Sequence, residues 1–584
     1  MPTNATISVN KETVRLYLES GKTNPFLIPE YQRPYAWGED EASKLFEDLH
    51  DFARSEVERE KQGVKKEGTY FLGSIVSFLN ENDEREVIDG QQRLTSLMLL
   101  LRAIYTKLER TDPMTEQAEN FIRQIQPCLW IKDKYTGKVD TTKMLIRSNA
   151  MDDNFNARLQ LILDTGETDE EWTDNYSENY RLFQRLFDKL SADNAFFVYA
   201  FIHNLLNNAI VLPIQADTQD TALTIFSTLN DRGLPLSDAD IFKAKMYDSL
   251  QGDERDDLMR SWRELEARSL DVDETMQHLF YVYMFYDRAV KGDDKTTTPG
   301  ARKYFSQDKF SSLKQPGVLD KLADILDLLT IAKVRKPVSG IPWSEDVTIL
   351  QALDMLACYP NDWWQYAVST YYLLHKDDDS FDEAFPAFLN KLFAELLRVY
   401  VLFPTVNSIK GGIMKLNVAS VESAVPRFDF RQADVNDPQW REGVVHPRNR
   451  YTRRMVIAAT SYTEPSQDGL LPEGWEVEHV FPQHWSANYD CEGHTSEKLA
   501  EIVEEIGNLI ALEKPLNIGA SDGYYDKKRV EYAKSSIGVA RTMAKRLGWH
   551  VDDIHERNVR VVDQLRDAFE IWSDTYNSLM EIGA

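Results

Sequence analysis

The chain reads as an α+β protein that is predominantly helical, and three observations lead there. Residues 70–79 are apolar and β-branched enough for a buried strand, and Arg85–Ile88 for a second. After Gly90 the pattern switches to helix, with Leu94, Leu97, Met98, Leu101, Ile104, Tyr105 and Leu108 at i, i+3, i+4 and i+7 spacing. Near the C-terminus, Pro482 closes the segment from Trp475 to Gln483, Gly507 opens a turn, and Ser521–Lys534 reads as a helix.

Taken in order, Met1–Glu109 is mixed α/β, and Pro113–Asn208 is mainly helical with a polar insertion near Lys132–Thr142. Ala209–Ala216 is a strand that rejoins the first part, and Thr221–Leu250 is helical again, so residues 1–250 form one domain. Residues 251–405 are helix-rich and aromatic, and 404–438 reads as an irregular linker; together 251–438 form a helical connector. A last domain spans 439–584 and ends in a helix with Val561, Leu565, Ala568, Phe569 and Trp572 on its packed face. The 584 residues suit about three to five domain-sized units. Gly21-Lys22-Thr23 imitates the end of a phosphate-binding loop, but Leu16 stands where its first glycine belongs, so it is a loop.

Composition excludes several classes. Cys128, Cys358 and Cys491 are far apart and form no Cys-x-x-Cys pair, which argues against a zinc knuckle and against disulfides. No basic region followed by an apolar core opens the chain, and no apolar run spans a bilayer, so a cytoplasmic protein without membrane contact is expected. The formal net charge is −28, which opposes binding to a polyanion. Local potential differs from the total: Arg448, Arg450, Arg453 and Arg454 crowd one stretch, Lys527, Lys528, Arg529 and Lys534 another, and Arg541, Lys545 and Arg546 a third.

Glu478-His479, a later Asn508 and a second asparagine, Asn517, give the residue order of a ββα-metal (HNH-type) nuclease site. Phosphodiester hydrolysis needs a base to deprotonate water and a hard cation at the phosphate. His479 is the candidate base. Glu478 and Asn517 supply oxygen donors of the kind Mg²⁺ or Mn²⁺ prefers. Asn508 would pin the hairpin and hold His479 in register. The following helix, with Lys527 and Lys528, would lie against a phosphate backbone.

A second candidate site is Asp89-Gly-Gln-Gln-Arg93, where a strand end turns into a helix N-terminus. Free N–H groups and the helix dipole favour an anion there. Arg93 adds a phosphate-pairing fork, and Asp89 can hold Mg²⁺ or orient a water.

Glu478-His-Val-Phe-Pro-Gln483, Gly507-Asn-Leu509, Asn517 and the Tyr525-x-Lys527 region resemble the nuclease half of GmrSD-type, modification-dependent restriction endonucleases. Asn517 stands where many HNH nucleases have histidine, a departure that favours Mg²⁺ over softer metals. Ile28-Pro-Glu-Tyr-Gln-Arg-Pro-Tyr-Ala-Trp37, Asp89–Arg93 and Ile225–Ser237 with Asp240 and Lys243 resemble the NTP-hydrolysing, ParB-like portion of the same family. The resemblance implies a ParB-like N-terminal domain, a helical connector and an HNH nuclease domain. By analogy Asp89, Gln91, Gln92, Arg93, Asn230, Arg232 and Lys243 would handle the nucleotide, GTP, ATP or another. Tyr31, Gln32 and Arg33 would lie near the nucleotide or a modified DNA backbone.

The sequence therefore leads to an NTP-regulated, divalent-metal-dependent endonuclease acting on modified double-stranded phage DNA. A homodimer is expected, because each HNH site cuts one strand. Two rivals stand beside it: a nucleotide-switched DNA-binding protein with a vestigial nuclease site, and a scaffold in which both motif sets are structural.

Overall fold

The computed structural model describes residues 8–64, 68–132, 136, 139–150, 153–229, 237–484 and 492–582. Its contacts divide the chain into two compact units, Met1–Met259 and Arg260–Ala584.

The first unit is built on a seven-stranded mixed sheet. Tyr70–Leu79 lies at its centre, parallel to Ala209–Ala216 and antiparallel to Arg85–Asp89. Phe26–Ile28 runs parallel to Arg85–Asp89 and to Ile146–Ser148, and the short strands Ser8–Val9 and Glu12–Thr13 pair with Ala209–Ala216. The chain leaves Arg85–Asp89 for helix Gln91–Glu109 through Gly90, whose φ of 87° is left-handed. A Cβ there would meet the Ser74 carbonyl oxygen at 3.0 Å, so glycine is required on two counts.

Helix Gln91–Glu109 is buried almost all round rather than along the expected stripe, because helices Glu116–Leu129 and Asn175–Asp193 pack on it. Its buried Arg102 is satisfied by the Leu163 carbonyl and the Thr106 hydroxyl. The polar insertion expected at Lys132–Thr142 carries a two-stranded antiparallel pair, Trp130–Lys132 with Val139–Met144.

The second unit is helical, with one small antiparallel pair, Glu476–His479 with Leu509–Leu512, among its described residues. A continuous apolar core runs from Leu328 to Tyr576 and takes in both the helices before residue 438 and those after it. The stretch 404–438, expected as a linker, is packed instead. Helix Lys410–Glu422 buries Ile413 and Leu416, Phe430 packs against Gly412, and the Ala433 and Pro426 carbonyls accept from Arg398 and Tyr576. The helix expected over Ser521–Lys534 is shorter, Tyr525–Tyr532, and Ser521, with a φ of 45°, separates it from a preceding helix, Lys514–Ala520.

Candidate active site

The strand pair in the second unit is fixed from below and behind. Leu509–Leu512 is buried along its whole length, which leaves Glu476–His479 as the strand that presents polar groups. The register sets Glu478 opposite Ile510 and His479 opposite Leu509. Alternation places Glu476 and Glu478 on one face, and His479 ends the strand.

Asn508, fully buried, closes the end of the pair. Its Oδ1 accepts from the Phe481 N–H (2.7 Å) and the Trp549 indole (3.1 Å), and its Nδ2 donates to the Phe481 and Val503 carbonyls (3.0 and 2.9 Å). Its own carbonyl accepts from Val480 N–H (2.9 Å). These bonds clamp the residues on either side of the strand end that carries His479.

Behind the turn lies the C-terminal helix, Val551–Ile582. The buried Arg557 donates to the carbonyls of Ile506, Gly507 and Leu509, and the Asn558 side chain accepts from Gly507 N–H. Burial lowers the Arg557 guanidinium to about 10, and the three carbonyls satisfy it without a carboxylate. A Cβ on Gly507 would fall 2.2 Å from the Ile554 carbonyl oxygen, so only glycine permits this approach.

His479 is mostly buried, and its Nε2 lies 3.2 Å from Glu504 Oε1, an ion-pair distance at which the buried nitrogen still has no hydrogen bond. Glu504 is gripped in turn by Gln483 Nε2 (2.6 Å) and Arg453 (2.9 Å). Burial pushes the His479 imidazole well below the usual histidine range, against the pull of Glu504. That shift favours the neutral ring, the state a general base requires.

One residue earlier in the strand, Glu478 Oε1 accepts from Lys528 Nζ (2.8 Å) and the Tyr532 hydroxyl (2.7 Å). Burial raises the Glu478 carboxyl, and Lys528 opposes that rise. Nearby, Asn517 Nδ2 donates to Glu476 Oε2 (2.8 Å), with Lys514 at 3.7 Å from the same carboxylate. The polar side chains of this face thus include two carboxylates and an amide, hard oxygen donors that suit Mg²⁺ or Mn²⁺. Lys528 already neutralises one of them.

The second cluster lies in the first unit. Gln32, Arg33, Trp37, Asp89–Arg93 and Phe226 line a cavity of about 130 Å³, room for a phosphate rather than a whole nucleotide. Burial raises the Asp89 carboxyl, while the Gly90 N–H, Arg93 and Arg33 oppose the rise. Arg93 donates to the Ser74 carbonyl and lies over Gly73, where a Cβ would fall 2.7 Å from its Nη1. The Gln91 Nε2 donates to the Arg33 carbonyl, while its Oε1 is buried without a hydrogen-bond partner.

Several expected residues are placed otherwise than the sequence suggested. Gln92 is a clamp: its Oε1 accepts from Ala36 and Trp37 N–H, and its Nε2 donates to the Pro34 carbonyl. Tyr31 is buried and donates to Glu86, in an acidic cleft that includes Glu84 and Asp217, surroundings that repel phosphate. Gln32 is buried, while Arg33 is exposed and faces the Asp89 cavity. Lys528 is 1 % exposed, so its ammonium serves Glu478 and not the surface; Lys527 is exposed. Lys243 is buried in helix Asp238–Asp248. Asn230 and Arg232 lie outside the described residues.

Of the arginines at 448–454, Arg453 is held by Glu504, and Arg454 stacks on Trp475 at 3.9 Å and donates to its carbonyl. Sequence reasoning missed Glu504, Gln483, Glu476 and Tyr532. Only Tyr532 left a local signal, since Lys528 and Tyr532 are four apart and share one helix face with Tyr525.

Two family comparisons cover both clusters. Residues 14–247 match the GmrSD restriction endonuclease, N-terminal domain, and residues 431–563 match the GmrSD restriction endonucleases, C-terminal domain. Together these matches span more than half of the chain, which belongs to the GmrSD restriction endonuclease family. No curated protein matches it. Among the described residues, no helix is long and apolar enough to cross a membrane.

Proposed function

We propose that this chain hydrolyses phosphodiesters of modified double-stranded DNA, with His479 as general base in an HNH-type site and with NTP bound at Asp89–Arg93 setting when it cuts. One observation carries the reading: a mostly buried imidazole sits at a strand end that Asn508 fixes with four side-chain hydrogen bonds. A water beside His479 gives up a proton to the free imidazole nitrogen. Its oxygen bonds to phosphorus, the bond to the leaving oxygen breaks, and that oxygen is protonated. The exposed Lys514, Lys527, Lys534, Arg448 and Arg450 are among the cations of this part of the chain open to phosphates.

Glu478, Asn517 and Glu476 would hold a divalent cation, which when bound neutralises charge developing on the phosphate and the leaving oxygen. In the N-terminal unit, the N–H groups at the start of helix Gln91–Glu109, with Arg93 and Arg33, would hold a phosphate of the nucleotide, and Asp89 would orient water or Mg²⁺. ParB-like architecture for residues 1–250 and a nuclease domain over 439–584 belong to the same reading. So does a homodimer in which each copy cuts one strand.

The test is cleavage of a modified phage genome and its unmodified counterpart, with Mg²⁺ or Mn²⁺, with and without NTP, beside His479→Ala. Cutting confined to modified DNA and lost in the variant supports the reading. The pairing of Glu478 with Lys528 favours one alternative, a nucleotide-switched DNA-binding protein whose metal site is occupied by its own lysine. No cutting under any condition, with NTP turnover intact, would establish that alternative.

A further inference from the structure

Three groups from separate elements meet on the far side of His479. Glu504 lies in the turn after helix Ser496–Ile502, Arg453 in helix Arg450–Tyr462, and Gln483 just past Pro482. Glu504 Oε1 accepts from Gln483 Nε2 at 2.6 Å and stands 3.2 Å from His479 Nε2, while its Oε2 accepts from Arg453 at 2.9 Å. Both carboxylate oxygens are thus held in place, and Arg453 balances the charge.

An imidazole that acts as a base offers one nitrogen as a lone pair and carries a proton on the other. A carboxylate beside Nε2 selects the tautomer with the proton on Nε2. That leaves Nδ1 with the lone pair that can take a proton from water. The Asn508 clamp fixes the backbone at this point but reaches neither ring nitrogen, so ring orientation needs a separate partner.

We propose that Glu504 is the positioning residue of His479: its carboxylate, 3.2 Å from Nε2, favours the proton on that nitrogen and so sets the tautomer, and it is itself held by Gln483 and Arg453. This rests on the reading of His479 as the base. A rival role for the same carboxylate is a plug. Lying between an arginine and the histidine, it would occupy the place of a substrate phosphate and leave when DNA binds.

The experiment compares wild type with Glu504→Gln, Glu504→Asp and Glu504→Ala in the full-length protein. It measures kcat and KM for DNA cleavage, DNA affinity, the melting temperature and the ¹⁵N shifts of labelled histidine, with the His479 signal assigned by His479→Ala. The expected result is a kcat lower by about 10²-fold in Glu504→Ala, with KM and melting temperature little changed. Glu504→Asp restores part of the loss, and the His479 signal moves away from the Nε2–H tautomer in Glu504→Ala. Tighter DNA binding with faster cleavage in Glu504→Ala would overturn the proposal in favour of the plug. An unchanged kcat with unchanged nitrogen shifts would overturn it outright. If wild type itself does not cut, the nuclease reading fails, and the nitrogen shifts alone still decide whether Glu504 sets the tautomer.

Discussion

Asn508→Ala removes the group that joins the strand end to three other segments. Four partners lose their bonds at once: the Phe481 N–H, the Trp549 indole N–H, and the carbonyls of Phe481 and Val503. An unsatisfied buried polar group costs about 1–3 kcal/mol. Water entering the vacated amide volume recovers part of that, so the lower bound, about 4 kcal/mol, is the expected loss. At about 1.4 kcal/mol per tenfold, the opening equilibrium rises by about 10³. Native-state amide hydrogen exchange reads this directly. The informative amides are those bonded between Glu476–His479 and Leu509–Leu512, since none of these loses its own partner in the variant. Asn508→Asp keeps the acceptor but turns an oxygen toward two carbonyls, and it should fall as far. A change in protection below tenfold in Asn508→Ala would refute the clamp, whatever happened to cleavage.

Three further outcomes follow from the same geometry. Gly507→Ala places a Cβ 2.2 Å from the Ile554 carbonyl oxygen; the forced shift should cost about 1–3 kcal/mol, read as a lower melting temperature, and an unchanged melting temperature would refute the close approach. Lys528→Met leaves the Glu478 carboxylate buried with Tyr532 alone, so the variant should melt lower without divalent cation and gain more from added Mn²⁺ than wild type does; equal gains would show that no cation reaches Glu478. Hydrogen bonding to Glu274 holds His278 above its usual range, and Glu274 itself sits below its own. The histidine contribution is complete below the unfolded histidine value and is lost as pH rises through the folded one. The carboxylate contribution is present above the unfolded glutamate value and is lost as pH falls through the folded one. The stability gap between wild type and His278→Gln should therefore peak between about pH 4.5 and 6.5 and shrink by pH 8; a gap that grows toward pH 8 would refute the pairing.

What was legible in the sequence was local. The strand, Gly90 and helix Gln91–Glu109 follow from periodicity and one left-handed position, all within a few turns of chain. Asn508 could be read as a pin because its place after Glu478-His479 follows the residue order of an HNH-type site. Glu504 could not: it stands in the acidic run Glu501–Glu505, and only tertiary packing brings it to His479, 25 residues earlier in the chain. Lys528 was misplaced for a related reason. A lysine among lysines reads as a solvated face, whereas here the buried Glu478 draws one of them inside. Tyr31 and Gln92 were likewise assigned by motif when their partners, Glu86 and the Ala36–Trp37 backbone, had already claimed them. Stretch 404–438 lacks periodicity, yet its apolar residues fill the core of its unit.

The helix Val551–Ile582 also ties the candidate site to a stretch of chain far from it in sequence. Arg557 and Asn558 hold the turn that carries Asn508, so the strand pair is braced only with that helix in place. A chain cut just before Val551 would keep His479, Asn508 and Asn517 and the bonds of Asn508 to Phe481 and Val503, yet lose every bond that Arg557 and Asn558 make to the turn.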